Sequence, residues 1–284
     1  MQDIIIRATG KHAPLRFVLV SIKDAMNEIG AKHEARGFAL KFMAETAAAS
    51  LLLSSELKFP GTVSLRMDMN GDLSFVQADS TPQGLLRAMI PQSDLQRMGT
   101  DEPLITPQKL TTIQLNEKSQ RVKESIVEAP SVQMGVNLTA YLRQSEQTKS
   151  AAGILAKTSE ENFSELDFAM GFLIEAYPNA EAKDLEIMDA VVRHLPSLKT
   201  FYDGEYHILN LLNELRGPYE IEIVKEIIPR AYCPCSRERV ITSLSSLHPC
   251  EVKDIRQKNE VLDVVCDFCR THYDVSPSEL PFFP

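Results

Sequence analysis

The chain has 284 residues, 44% of them hydrophobic, which is enough apolar material for a sizeable core and more length than one typical domain uses. Its formal net charge is −9, and each part of it is acidic: 18 basic residues against 21 acidic in 1–177, 6 against 10 in 178–230, and 6 against 8 in 231–284. A surface for nucleic acid or anionic lipid needs clustered Lys and Arg, so both are expected to be absent as partners.

The N-terminal stretch MQDIIIRATGKHAP lacks the charged start, apolar run and small-residue cleavage site of an export signal. The longest apolar run, around Ala47 to Leu53, is far shorter than a membrane span. A cytoplasmic location is therefore expected, where thiols stay reduced and clustered cysteines point to metal or redox chemistry.

IIIRATG and LRFVLVS read as two strands, followed by helical spacing from Ile22 to Ile29 and from Ala35 to Leu57, with Pro60-Gly61 ending the second helix. TVSLRMDM and LSFVQAD alternate around Asn70-Gly71-Asp72, which predicts a hairpin with a tight type I′ turn. LTTIQLNE and RVKESIVEA form a second strand pair across Lys118 to Gln120, before a helix near Leu138 to Gln144 and an apolar segment at Ala151 to Leu155. Strands grouped with strands favour an α+β fold, a mixed α/β domain with an antiparallel sheet over 1–177.

Residues 178–230 read differently. Leu185, Met188, Val192 and Leu195 make one helical stripe over Asp184 to Leu195; Ile208, Leu211, Leu212 and Leu215 make another over Tyr206 to Leu215, ended by Gly217-Pro218. Such short helices are marginal alone and need a neighbour to pack on. Tyr219 to Ile228 alternates acidic and apolar residues and suits a strand.

All five cysteines lie in 231–284, as Cys233-Pro-Cys235, then 30 residues, then Cys266-Asp-Phe-Cys269, with Cys250 inside the insert. Two close pairs can supply the four soft ligands of a tetrahedral Zn²⁺ site, which assigns Cys233, Cys235, Cys266 and Cys269 as metal ligands of one ion per chain. Ser236 can cap a helix through Leu244 or Leu247, Pro249 can open another, and VLDVV leads back as a strand; Phe268, Tyr273 and Leu280 can cover the site. A module this small cannot build much core, so metal would supply much of its folding free energy, on the order of 10 kcal/mol. The first pair is CxC rather than the CxxC of a structural zinc ribbon. A CxC disulfide closes a small, strained ring, which suits a reversible switch, while a purely structural site remains the plainer reading. His248 and His272 are not expected to be ligands, because four thiolates fill the tetrahedron.

CPCSRERV followed by CDFCRTHYDVSPSEL resembles the heat-shock protein 33 family of redox-regulated holdase chaperones, and LKFPGTVSLRMDMNGDLSFVQADSTPQGLLRAMI and LLNELRGPYEIEIV are similar to it in the same order along the whole chain. The resemblance implies a substrate-binding domain (1–177), a metastable, mainly helical linker (178–230) and a C-terminal zinc-binding redox switch (231–284). It implies that the reduced, zinc-bound form is inactive. Oxidation forms the disulfides Cys233–Cys235 and Cys266–Cys269, zinc is lost and the linker unfolds. Unfolding client proteins are then bound without ATP, commonly by a homodimer, under oxidative stress. Two departures stand out: Lys258-Asn259-Glu260 replaces a turn that contains Gly in many relatives, and Cys250 lies outside the family pattern. Because a CxxC disulfide is the less strained ring, Cys266 or Cys269 is expected to react first.

Rival readings are a zinc ribbon that binds nucleic acid or another partner, and an enzyme. The first lacks a basic module. For the second there is no Walker A sequence and no GxSxG, and the CxxC does not open a helix as in a thioredoxin-like redox motif. No enzymatic activity is expected.

Overall fold

The computed structural model describes residues 2–97, 103–118, 120–201 and 208–280. The chain divides into two compact units, Met1–Ala231 and Tyr232–Pro284. In chain order the first contains β1 (Ile4–Gly10), β2 (Leu15–Ser21), α1 (Lys23–His33), α2 (Gly37–Ser54), β3 (Gly61–Gly71), β4 (Phe75–Ser80), β5 (Leu85–Met89) and α3 (Gln92–Arg97). There follow β6 (Ile105–Asn116), β7 (Arg121–Glu128), α4 (Met134–Tyr141), β8 (Ser150–Thr158), β9 (Leu166–Ala176), α5 (Ala182–His194), α6 (Ile208–Leu215), β10 (Ile221–Ile227) and β11 (Arg230–Ala231). The strands form a five-stranded sheet, β10-β1-β2-β9-β8, and a six-stranded sheet, β11-β5-β4-β3-β6-β7. All pairings are antiparallel except β11 with β5, so the fold is α+β.

Helix α2 lies between the sheets. Fifteen of its 18 residues are buried, because GFALKFMAETAAASLLLS is apolar or small on every side. It is long and apolar enough to cross a membrane by composition, yet 83% of it is buried within the protein, as befits a core helix. It stops at Ser54, short of the expected Leu57 and Pro60. The hydroxyls of Ser54 and Ser55 donate to the Leu51 carbonyl at 3.2 and 2.8 Å, and the amides of Glu56 and Leu57 turn back to Leu53 and Ser54. The terminal carbonyls are thereby satisfied before the proline is reached.

The β3–β4 hairpin forms where alternation places it, but not with a two-residue I′ turn. The last bond is from the Met69 amide to the Ser74 carbonyl, leaving a four-residue loop in which only Gly71 has positive φ (+110°). Asn70 and Gly71 instead continue the ladder with Thr106 and Ile105 of β6, and Leu73 is driven into the core. The turn of the second hairpin includes residue 119, and the start of the expected helix at Tyr206 precedes α6; both lie outside the described residues. Strand β9 carries no alternation to read. It is central, and LDFAMGFLIEA is buried on both faces.

The five-stranded sheet is apolar on its outer face too. Ile6, Ala8, Phe17, Leu19, Phe168, Met170 and Phe172 lie there beneath Met188 of α5, Phe201, and Ile208, Leu211, Leu212 and Leu215 of α6. Residues 178–230 therefore pack on the first unit, and β10 completes its sheet edge against β1.

Glu45 of α2 is buried, with Lys41 3.9 Å away and the Ala156 amide at 3.4 Å. Burial pushes its carboxyl up to about 7 against the pull of Lys41 and that amide. A raised carboxylate pKa means the folded state holds the proton more tightly than the unfolded one. The contribution is fully favourable below about pH 4.5 and is lost as pH rises through 7. Glu45→Gln is expected to be more stable than the parent at pH 8, by as much as about 3 kcal/mol, and equal to it near pH 4.5. Urea unfolding followed by circular dichroism across that range checks this; a constant difference at all pH values would contradict it.

Candidate metal centre

The second unit contains α7 (Arg237–Ser245), α8 (Pro249–Lys258), β12 (Leu262–Val265) and β13 (His272–Val275). The Ser236 hydroxyl accepts from the Arg239 amide and so caps α7. Pro249 is the first residue of α8, with His248 and Glu251 closing a capping box. Asn259 ends α8 in the left-handed conformation, φ 52°, which asparagine adopts more readily than other residues with a Cβ. The buried apolar core here is Val252, Val275 and Leu280, and Pro277 is buried as well. Leu280 thus belongs to this small core.

The four expected ligands meet. Cys235 precedes α7, and Cys266 to Cys269 form the turn between β12 and β13, with the Arg270 amide on the Cys266 carbonyl at 2.9 Å and the Cys266 amide on Thr271 at 3.0 Å. The sulfurs of Cys233, Cys235, Cys266 and Cys269 all lie within 4.8 Å of one another. The Cys233–Cys266 separation is 3.8 Å and that of Cys235–Cys269 is 3.2 Å, so the two pairs touch each other through their sulfurs. Sulfurs about 2.3 Å from a tetrahedral centre are about 3.8 Å apart, and the set of four thiols fits a thiophilic metal ion on both spacing and donor chemistry.

Two hydroxyls serve the cluster. Tyr273 donates to Cys235 at 3.0 Å, and Thr271 lies 3.2 Å from Cys269. Tyr273 was expected to cover the site; Thr271 was not, although a hydroxyl two residues past a knuckle cysteine is a readable signal. Burial pushes the Cys235 thiol up to about 12, opposed by the Tyr273 hydrogen bond and reinforced by Cys269 and Cys233. Burial also raises Cys266. Burial works against ionisation of Cys269 as well, but Thr271 and the neighbouring thiols donate to it and it falls to about 7. A metal ion would replace these shared protons.

Neither histidine joins the cluster. His248 lies 2.8 Å from the exposed Cys250, and His272 pairs with Asp263 at 2.9 Å. Cys250 is likewise outside the group of four.

The model of the family described as Hsp33 protein matches residues 3–276. The chain belongs to the Hsp33 family. It is 22% identical over 283 residues to the 33 kDa chaperonin of Streptococcus pneumoniae strain JJA, covering 98% of this chain and 97% of that one. It is 23% identical to the 33 kDa chaperonin of Latilactobacillus sakei subsp. sakei strain 23K, covering 99% and 98%. The crystal structure of the 33 kDa chaperonin of Thermotoga maritima superposes with a TM-score of 0.80 at 21% identity, covering 98% of this chain and 96% of that one, so the two share a fold.

Each of Cys233→Ser, Cys235→Ser, Cys266→Ser and Cys269→Ser is expected to cut any metal that the parent chain binds to well under one-tenth, whereas Cys250→Ser leaves it unchanged. Elemental analysis after dialysis distinguishes them. Chelation should also melt α7 and α8, because so few buried side chains cannot hold them.

Proposed function

We propose that this protein is an ATP-independent holdase chaperone, held inactive by zinc and released by oxidation. The carrying observation is the convergence of four cysteines in a member of this family, one residue beyond a segment that covers an apolar sheet face. Cys233 follows Ala231 with only Tyr232 between them.

Cys233, Cys235, Cys266 and Cys269 would hold the ion, which when bound fixes the thiolates and neutralises their charge. One peroxide per pair would take two electrons from its two thiolates and two protons from solvent, so that a Cys233–Cys235 or Cys266–Cys269 disulfide forms as the peroxide becomes two waters. The thiolates are then no longer available as ligands. Loss of on the order of 10 kcal/mol of metal-derived stability exceeds what the module's small core supplies. Residues 178–230 act as the metastable linker: α5 and α6 are short helices whose stability comes from the face they cover, and they run directly into the module. Their release uncovers Phe17, Leu19, Phe168, Met170 and Phe172, an apolar surface suited to unfolding polypeptides. The same surface favours a homodimer in the oxidised state. Acidic composition throughout supports a client range of unfolded proteins rather than nucleic acid or membrane, acting in the cytoplasm as a stress response.

Peroxide treatment of the zinc-loaded chain should release zinc, lower the helical circular dichroism signal and switch on suppression of a client's aggregation together. Zinc loss without gained suppression would leave only a structural site. In a brief peroxide pulse read by mass spectrometry, the Cys266–Cys269 disulfide is expected before Cys233–Cys235; the opposite order would refute the ring-strain argument.

A further inference from the structure

Strand β10 is a poor partner for a good edge. It belongs to the proposed linker, and it alone pairs with the outer side of β1. Within β1, Ile5, Ile6 and Ala8 are buried, with Ile5 in the core around α2 and Ile6 and Ala8 in the outer core. In β10 only the end residues Ile221 and Ile227 pack against those cores, one on each. The middle is exposed: Ile223 is 41% and Val224 64% accessible, and Glu222, Lys225 and Glu226 are exposed as well. The register jumps from Arg7↔Lys225 to Ala8↔Ile223, so a bulge leaves Val224 without a partner on β1. Glu226 sits opposite the buried Ile6, and a half-open pocket of about 440 Å³ lies there, lined by Ile4, Ile6, Ile208 and Ile227 together with Glu226, Gln2 and Asp3. The chain's own strand thus satisfies the backbone of β1 while burying little apolar surface of its own.

We propose that an extended apolar segment of an unfolded client replaces β10 and adds as an antiparallel strand to the edge of β1. This rests on the reading that oxidation releases residues 178–230. Departure of β10 exposes a row of unpaired β1 amides and carbonyls flanked by Ile5, Ile6 and Ala8. An unfolded polypeptide is the partner that can meet both needs at once. A client strand with apolar residues where β10 has Glu226, Val224 and Glu222 buries more apolar surface than β10 does, without the bulge. Specificity is low because the ladder is made by main chain, as a chaperone for many clients requires.

The probe is a labelled peptide of the β10 sequence, IEIVKEI, in three forms: unmodified, and N-methylated on alternate residues in each of the two phases. Strand addition uses one edge of the peptide. The oxidised full chain should therefore bind the unmodified form and one methylated phase alike, and the other phase about tenfold or more weaker, from the lost backbone hydrogen bonds. Hydrogen exchange should show β1 amides protected by the peptide, and the binding phases should compete with client in the aggregation assay. The reduced, zinc-loaded chain should bind none of the forms. Equal binding of both methylated phases, or aggregation suppression with β1 unprotected by client or peptide, overturns strand addition while leaving the oxidative switch intact. If oxidation leaves residues 221–227 protected and suppresses no aggregation, the switch reading fails instead. The edge is then tested in the reduced Ile221→Asp/Ile227→Asp variant, which removes the two anchors of β10. Once exchange shows β10 free, absence of phase-selective peptide binding there rejects the proposal.

Discussion

A sheet that is apolar on both faces must be covered on both, and the first unit is organised by that need. Alternation along β1 and β2 sends Ile5, Val18 and Val20 to one side and Ile6, Phe17 and Leu19 to the other. The inner face meets α2, a helix without a polar side, whose alanines let two sheets approach it closely. The outer face is covered differently. Its cover is two short helices, α5 and α6, from a part of the chain that continues directly into the cysteine-bearing unit. The two faces are thus covered by very different elements, one by a long buried helix and the other by two shorter amphipathic ones.

The second unit inverts the usual balance of a domain. Its helices are well capped, by Ser236 at α7 and by the His248–Glu251 box and Asn259 at α8, yet caps contribute only about 1 kcal/mol each. Val252, Val275 and Leu280 form a very small apolar core, and the four sulfurs gather beside little else that could hold the unit together. Tyr273 and Thr271 place hydroxyls on two of those sulfurs, so the four thiols are set in different electrostatic surroundings. The unit spans about fifty residues, and the segment that covers the outer sheet face ends where it begins.

Much of this was legible in the sequence wherever the decisive interaction is local. The spacing of Cys233, Cys235, Cys266 and Cys269 identified the cluster because ligand pairs on one turn need little tertiary help. Ser236 and Pro249 marked helix starts, and alternation marked β3, β4, β6 and β7, because caps and pleats act over a few residues. What failed locally failed for tertiary reasons. Asn70-Gly71 has the sequence of a tight turn, yet pairing with β6 and burial of Leu73 reshaped it. Helix α2 stopped at serines that could satisfy its carbonyls rather than at the proline beyond.

The tertiary structure alone decided which distant segments meet. Nothing within IEIVKEI says that it lies on β1, more than two hundred residues away, because backbone pairing is nearly sequence-blind and depends on which edge is open. Nor does the helical stripe of Ile208, Leu211, Leu212 and Leu215 name the sheet face it covers, since apolar burial is non-directional. The sequence by itself determined the four-thiol cluster, the caps and the strand pattern, through contacts spanning a few residues. Only the folded chain decided that the segment beside the cluster is the cover of an apolar sheet.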